Sequence, residues 1–308
     1  MGHNIHLQHP EDSILTGDLS VLDWFTQPAT VSVKIDGAPA IVWGNDPATM
    51  TFFVGTKAVF NKKKLRIAHN HDEIDLYYDG EVADILHACY DCLKWEVMDD
   101  IVYQGDFIGF GGDDTYKPNT IKYVFPHLVT ESIIIAPHTV YDPIHNLRNC
   151  FAEAIHPDAF YGDDLTSTKD VLFVRPDAWQ DDGDFDDIVR FARQMSTMVT
   201  FAKNKTHARK ITSAINTVVK SNAALSLEKL TGVADCDVNL LRLWKLVKSM
   251  KDRRLALCAT SGGPLAFIGN KFIGAEGYVL TNDFGSYKLV KREVFSRHNF
   301  NHGRFSAR

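Results

Sequence analysis

Residues 31–43 read Val-Ser-Val-Lys-Ile-Asp-Gly-Ala-Pro-Ala-Ile-Val-Trp, and this stretch decides the fold. Residues 31–35 are a short β-branched run, and residues 40–43 are a second apolar run. Two such runs around a glycine-containing turn predict a β-hairpin, with Gly37 allowing the backbone to turn tightly. Lys34 closes the first strand.

The tetrapeptide Lys34-Ile35-Asp36-Gly37 has two interpretations. An electropositive, partly dry pocket favours the neutral form of a lysine, whose amine can then act as a nucleophile. The alternative interpretation is an exposed Asp-Gly turn beside a solvated lysine. The tetrapeptide alone does not distinguish a nucleophilic lysine from an exposed turn, so the distinction depends on the rest of the sequence.

The chain is rich in short apolar runs on both sides of a helical segment. We predict strands at residues 51–55, 101–110, 120–125, 132–141 and 171–174, and a helix at 81–93. From about Asp184 to Lys251 the apolar residues keep helical spacing instead. The sequence therefore predicts an α+β protein, with an antiparallel-sheet domain of residues 1–183 and 260–308 and a helical insertion of residues 184–259.

Composition excludes several classes of protein. Of 308 residues, 45% are apolar and 23% are charged, which is ordinary for a globular chain. The longest apolar runs fall far short of the ~20 residues of a membrane span. With no visible secretory signal and only five cysteines, we expect an intracellular, cytoplasmic protein with no membrane partner.

The net charge of −6 hides a strong asymmetry along the chain. Residues 72–187 carry six basic and 26 acidic side chains, whereas residues 188–308 carry 21 basic and seven acidic ones. Such asymmetry indicates either a face that binds a polyanion or two halves that attract each other.

Four further segments accompany Lys34 in a fixed order. Gly55-Thr56-Lys57 follows about twenty residues later, and Asp106 then lies inside a β run. Glu276-Gly277-Tyr278-Val279 comes near the end, and Lys288 and Lys291 lie in the last β-rich run.

Taken together, these segments resemble the covalent nucleotidyltransferase superfamily, which contains ATP-dependent DNA and RNA ligases and mRNA capping enzymes. The resemblance covers nearly all of the β-rich chain but not the helical insertion. The sequence around Lys34 also looks like that of phage-encoded members, which would place the protein in the host cytoplasm. The resemblance implies an antiparallel-sheet adenylation domain.

The resemblance also implies a role for each residue. Lys34 would attack the α-phosphorus of ATP and become a lysyl-AMP, and Asp36 and Gly37 complete its motif. An aromatic ring would stack on the base, for which Tyr141 is the first choice, followed by His138 and Tyr123. The other implied nucleotide contacts are Thr56, Lys57, Asp106, Glu276, Lys288 and Lys291.

Phosphoryl transfer needs cations to neutralise charge on the phosphoryl oxygens. Mg²⁺ binds carboxylate oxygens and water, which suits Asp106 and Glu276, with Mn²⁺ as an alternative. The sequence departs from the family at three places. Pro39 replaces a frequent arginine, Asp106 replaces a glutamate, and Lys288 and Lys291 are three rather than two apart.

The helical insertion carries a candidate nucleic-acid surface. Phosphate neutralisation by lysine and arginine supplies sequence-independent affinity. The alternative is a solvated face that docks on the acidic half of the chain. The candidate contacts are Lys203, Lys205, Arg209, Lys210, Arg242, Lys245 and Lys248.

The sequence thus predicts an ATP-dependent ligase that joins 5′-phosphate to 3′-hydroxyl ends of RNA or of a nicked duplex. Only 17 residues follow Lys291, so we expect no C-terminal OB-fold. That favours an RNA-ligase-like enzyme, or one whose second domain comes from a partner protein. The alternatives are a GTP-using capping-type guanylyltransferase and an inactive, ligase-like nucleic-acid-binding protein.

Overall fold

The computed structural model describes residues 7–61, 63–94, 101–142, 146–147, 150–155, 165–221 and 223–293. Over these residues the protein is a mixed α and β structure with antiparallel sheets, and β9 pairs with β7 in parallel. None of the helices in this part of the chain is both long and apolar enough to span a bilayer.

The helices are α1 (Pro10–Ser13), α2 (Ser20–Thr26), α3 (His71–Tyr77), α4 (Gly80–Leu93), α5 (Asp186–Ser196), α6 (Lys205–Lys220), α7 (Leu227–Val233) and α8 (Val238–Ala256). Short 3₁₀ helices cover Ile14–Thr16 and Lys57–Phe60. The strands are β1 (Thr30–Lys34), β2 (Ala40–Asp46), β3 (Thr51–Gly55), β4 (Val102–Phe110), β5 (Thr115–Tyr116), β6 (Ile121–Val124), β7 (Ile133–Asp142), β8 (Phe151–Ala154), β9 (Val171–Phe173), β10 (Asp177–Gln180), β11 (Cys258–Ser261), β12 (Leu265–Ile268), β13 (Lys271–Gly274), β14 (Gly277–Asn282) and β15 (Gly285–Val290).

The predicted α4 helix and the predicted strands β3, β4, β6, β7 and β9 are confirmed to within two residues at each end. All four helices from α5 to α8 fall between residues 184 and 259, where helical spacing was found. The division into an antiparallel-sheet domain and an insertion stays a prediction, because the chain forms two compact units with other boundaries.

The first unit consists of the described residues of Ile35–Asp177 and Gly262–Ala275. Its main sheet has the strand order β3-β2-β4-β7-β8, with β9 beside β7, and a four-stranded sheet has the order β13-β12-β6-β5. Alternate residues of β2 face opposite sides. Ile41 and Trp43 pack with Leu86 of α4 on one side, while Val42 packs with Tyr141 on the other.

The second unit consists of Leu7–Lys34, Ala178–Ser261 and the described part of Glu276–Arg308. It contains the three-stranded sheet β1-β14-β15, the pair β10-β11 and helices α1, α2 and α5 to α8. Helix α8 is its centre, since residues on several sides of this helix are buried, including Trp244, Lys251 and Arg254.

The predicted hairpin between residues 31–35 and 40–43 is wrong. Strand β1 pairs with β14, and β2 pairs with β3 and β4. The connection itself binds β4, because Ala38 N–H donates to the Phe107 carbonyl at 2.9 Å and Phe107 N–H donates to the Pro39 carbonyl at 3.0 Å. The intervening residues therefore extend the pairing of β2 with β4 instead of forming a tight turn.

A buried charge cluster, defined as Glu11, Asp12, Lys251 and Arg292, ties α1, α8 and the end of β15 together. Lys251 Nζ donates to Glu11 Oε1 at 2.9 Å and to the Val290 carbonyl at 3.1 Å. Arg292 pairs with Asp12 and lies 3.4 Å from Glu11. Two acids and two bases thus neutralise each other where water is excluded.

The cluster gives a stability prediction. Glu11→Gln removes the anion that contacts both Lys251 and Arg292 and leaves Lys251 the longer contact with Asp252 at 3.7 Å, which should lower the free energy of unfolding by about 3–5 kcal/mol. Denaturant titration measures the change. The matched control is Asp187→Asn, which removes an exposed ion pair with Arg190 at 3.0 Å and should change stability little. Equal effects in the two variants would contradict the account.

Candidate active site

Lys34 and Glu276 form a short ion pair in the second unit. Lys34 ends β1, Glu276 immediately precedes β14, and Lys34 Nζ donates to Glu276 Oε1 at 2.6 Å. The Glu276 side chain is 4% exposed and that of Lys34 is 23% exposed. The lysine is therefore reachable by a ligand, while its carboxylate partner is held inside the protein.

Strand pairing brings these residues together across 242 positions of sequence. Lys34 is the register partner of Gly277, which in turn is the partner of Val290. A Cβ on Gly277 would lie 2.4 Å from the Leu289 carbonyl oxygen. Only glycine permits this close approach, which explains why Glu276 is followed by glycine.

Lys288 lies on the same face of the three-stranded sheet as Lys34. Ser32 pairs with Val279, and Val279 pairs with Lys288. Residues two apart in a strand and partners across strands share a face. Burial lowers the pKa of Lys288, and the neighbouring charges of Lys34 and Arg292 lower it further.

The pKa of His9 is also lowered near these positive charges. The residue before α1 is His9, which lies beside β15 because the Gln8 carbonyl accepts from Lys288 N–H at 3.1 Å. Burial holds the pKa of His9 well below its ordinary value, and the positive charges of Arg292, Lys251, Lys288 and Lys34 add to the effect. Burial disfavours a charge of either sign, whereas the four neighbouring cations are the part of this environment that would attract an anion.

Lys291 does not lie on this sheet face. It is exposed and follows the last residue of β15, whereas the next residue, Arg292, is buried in the charge cluster. The departure from two-residue spacing that the sequence showed therefore reflects a strand that has already ended. The role predicted for Lys291 has no support from its position.

Asp36 and Gly37 are held in the first unit. Asn119 Nδ2 donates to the Asp36 carbonyl at 2.8 Å and to its carboxylate at 3.2 Å, and Asp36 N–H donates to Tyr123 Oη at 2.8 Å. A Cβ on Gly37 would lie 2.2 Å from the Phe107 carbonyl oxygen. Glycine is thus required for close approach to β4 and not for a tight turn.

Asp106 and His138 lie together on neighbouring strands of the main sheet. Gly37 N–H points at Asp106 Oδ2 at 3.4 Å, and His138 Nε2 is 3.7 Å from Asp106 Oδ1. The register of β4 and β7 shifts here, which makes His138 the extra residue of a β-bulge. Bulges re-aim side chains and are common beside active sites.

Tyr141 supports His138 from within the core. Its ring is 1% exposed and packs on Phe60, with centroids 4.5 Å apart. Tyr141 Oη donates to Gln104 Oε1 at 2.7 Å, which turns the Gln104 amide nitrogen toward His138 Nε2 at 3.3 Å. A ring so enclosed offers no face to a base, so the stacking role predicted first for Tyr141 does not fit its place, and neither does that role for Tyr123, which is 2% exposed.

Thr56 and Lys57 follow β3. The Thr56 hydroxyl accepts from Ala58 N–H at 3.3 Å and caps the 3₁₀ helix Lys57–Phe60, and Thr56 N–H donates to Tyr78 Oη at 3.2 Å. Lys57 is exposed at the start of that helix. Thr56 thus has a structural partner, while Lys57 is accessible.

The basic residues of residues 184–259 separate into two groups. Lys248 is 13% exposed and binds Asp252 at 2.7 Å and Glu293 at 2.8 Å, so its charge is already neutralised. Lys245 is half-buried, whereas Arg242 is exposed and donates to Asn239 at 2.8 Å. The second group, exposed at the start of α6 and just before it, consists of Lys203, Lys205, Arg209 and Lys210.

Sequence reasoning missed the charge cluster, His9 and Asn119. A proline followed by two acids at residues 10–12 is a recognisable helix start, but this pattern does not reveal burial. Over the described ranges, no group of three or more His, Cys, Asp or Glu side chains is arranged to hold a metal ion.

Comparison with known proteins identifies a family without assigning an activity. The profile of a family of unknown function, DUF6267, matches residues 4–231 and 189–304. Neither the curated proteins nor the solved structures contain a significant match to the chain. Because the matched segments cover nearly the whole sequence, the chain belongs to the DUF6267 family.

Proposed function

We propose that the protein is an ATP-dependent nucleotidyltransferase of the ligase type, in which Lys34 carries AMP. The observation that carries the proposal is the Lys34–Glu276 pair at 2.6 Å, with Lys288 on the same sheet face. A reachable lysine, a buried carboxylate and a second lysine are the groups that transfer of a nucleotide to an amine requires.

The reaction places a distinct demand on Lys34. Its ammonium must first lose a proton, which passes to water, because only the neutral amine has a lone pair. The nitrogen then attacks the α-phosphorus of ATP, a P–N bond forms, and the bond from the α-phosphorus to the bridging oxygen breaks. Pyrophosphate leaves with the electrons of that bond, and AMP remains on Lys34.

Lys288 and the positive field around it would stabilise the charge of this step. Burial is the main cause of the lowered pKa values of Lys288 and His9, and neighbouring cations, among them Lys34 and Arg292, lower both further. Such a field attracts a polyphosphate and costs no reorganisation during the reaction. This argument supports a nucleoside triphosphate as substrate and leaves the choice of base open.

The residues present fit Mg²⁺, which takes one or two carboxylates together with substrate phosphates. Glu276 would hold the ion in the second unit once Lys34 turns toward the nucleotide. Asp106, in the first unit, stays the other carboxylate that the resemblance names as a metal ligand. When bound, the ion would withdraw charge from the phosphate oxygens. Mn²⁺ has similar ligand preferences and is the alternative.

The nucleoside contacts that the resemblance implies lie among residues of the first unit. Gly37 N–H points at Asp106 Oδ2 at 3.4 Å, and His138, the extra residue of a bulge, lies 3.7 Å from Asp106 Oδ1. We assign base stacking to His138, because its side chain is 35% exposed whereas Tyr141 and Tyr123 are enclosed. Lys57 is accessible to a phosphate. On this basis the proposed fold is the antiparallel-sheet nucleotidyltransferase fold.

RNA or a nicked duplex would be the acceptor, in the cytoplasm of the cell. The support is the exposed basic group of Lys203, Lys205, Arg209 and Lys210, which have no acidic neighbour between residues 188 and 227. We no longer include Lys248 among the proposed nucleic-acid contacts, because it is paired with Asp252 and Glu293.

The first test is covalent labelling. Incubation with Mg²⁺ and ATP labelled at the α-phosphate should give label that survives denaturing electrophoresis in the wild type. Lys34→Arg should abolish it, because a guanidinium stays protonated and is not a nucleophile. Lys169→Arg, at a lysine that is 90% exposed, is the matched control and should label normally. Undiminished label in Lys34→Arg would overturn the assignment.

The second test separates the two carboxylates. Glu276→Gln and Asp106→Asn should each slow labelling on the order of 10²-fold or more, since each removes a charge that acts on the reacting phosphate or its ion. Initial rates at saturating ATP measure the effect. Glu81→Gln changes an exposed carboxylate of α4 and should leave the rate unchanged. Normal rates in both site variants would mean that the carboxylates are wrongly assigned.

The third test concerns the polynucleotide. Replacing Lys205, Arg209 and Lys210 together by alanine should reduce the log–log salt slope of RNA or nicked-DNA binding by roughly 2–3 units, one phosphate contact for each charge. Self-labelling should persist. Lys248→Ala is the control, because it should lower thermal stability without changing the salt slope. If the triple variant instead lost thermal stability and self-labelling while its salt slope stayed unchanged, docking of the basic helices on acidic residues would be favoured.

A further inference from the structure

Two histidines in the first unit meet nitrogen to nitrogen. His71 is the first residue of α3, and His87 lies in α4. Their Nδ1 atoms are 2.6 Å apart. His71 Nε2 is 3.0 Å from Asp91 Oδ1, and His87 Nε2 is 2.9 Å from Asp75 Oδ1. Four side chains therefore form one line of three contacts.

The rings meet at their edges. Their planes are 19° apart and their centroids 4.9 Å apart. A face-to-face stack at that centroid spacing could not bring two ring atoms to 2.6 Å. The two Nδ1 atoms therefore point at each other across the gap.

Proton counting shows what this line of contacts lacks. A carboxylate only accepts hydrogen bonds, and a neutral imidazole carries one N–H. If each Nε2–H donates to its aspartate, both Nδ1 atoms present lone pairs to each other at 2.6 Å. Each of the three contacts needs a hydrogen or a cation between its two atoms, and two neutral rings supply two hydrogens. A third hydrogen, or a metal ion between the Nδ1 atoms, completes the line.

We propose that His71 and His87 bind one transition-metal ion through their Nδ1 atoms. Imidazole nitrogen suits zinc, copper and nickel. Metal-bound histidines usually donate their other ring N–H to a carboxylate, which is the arrangement that Asp91 and Asp75 provide. The proposal does not depend on the proposed nucleotidyltransferase activity, which uses other residues.

The surroundings of the pair allow an ion to enter. The side chains of His71 and His87 are 47% and 28% exposed. Zinc–nitrogen bonds of about 2.0–2.1 Å require the Nδ1 atoms to move apart, and partly exposed rings can rotate to do so. Water would fill the other coordination positions. The ion would then link α3 to α4.

Calorimetric titration of the metal-free full chain with Zn²⁺, in the absence of nucleotide, tests the site. The wild type should bind one equivalent more than His71→Ala or His87→Ala. The double variant Asp75→Asn with Asp91→Asn should keep the site but weaken it about 10- to 100-fold, as expected when the supporting carboxylates are lost. His127→Ala, at an exposed histidine of the same unit, is the control and should bind like the wild type.

Circular dichroism checks that each variant is folded. If an alanine variant does not fold, the Asp75→Asn, Asp91→Asn double variant still tests the site, because it retains both histidines. Binding in the wild type that equals that of both histidine variants would overturn the proposal. So would unchanged affinity in the aspartate double variant, because the carboxylates would then not orient the ligands. If only a proton lies between the two rings, the wild type and the histidine variants should bind the same amount of Zn²⁺.

Discussion

The candidate site depends on one interaction, the ion pair between Lys34 Nζ and Glu276 Oε1 at 2.6 Å. Glu276 is almost fully enclosed, so its charge requires a partner, and Lys34 contacts it directly. The pairing of β1 with β14 fixes where the two side chains meet, and Gly277 lets the strands approach. The buried charge cluster then anchors β15, which carries Lys288 on the same face.

Local structure was predictable where the sequence has a strong period. Helix α4 and strands β3, β4, β6, β7 and β9 follow from apolar spacing, which depends on neighbours close in the chain. The pairing of strands is different. Lys34 and Glu276 are 242 residues apart, and no local pattern indicates that β1 pairs with β14 instead of β2.

Several site residues could not be assigned from sequence, for physical reasons that differ. Tyr141 and His138 lie on the same strand, but a bulge at His138 changes the direction of the side chains, and the bulge is set by pairing with β4. Lys248 looks like a surface cation, yet Glu293 neutralises it from far along the chain. Lys291 misses the sheet face because β15 ends one residue earlier.

The central claim is that Lys34 is the residue that becomes covalently modified. Tandem mass spectrometry of proteolytic peptides, after incubation of the wild-type protein with ATP and Mg²⁺, measures this directly. The account predicts AMP attached to the side chain of Lys34 through a P–N bond that acid cleaves. AMP on a different residue, or a peptide containing Lys34 that stays unmodified under all nucleotides, would contradict it.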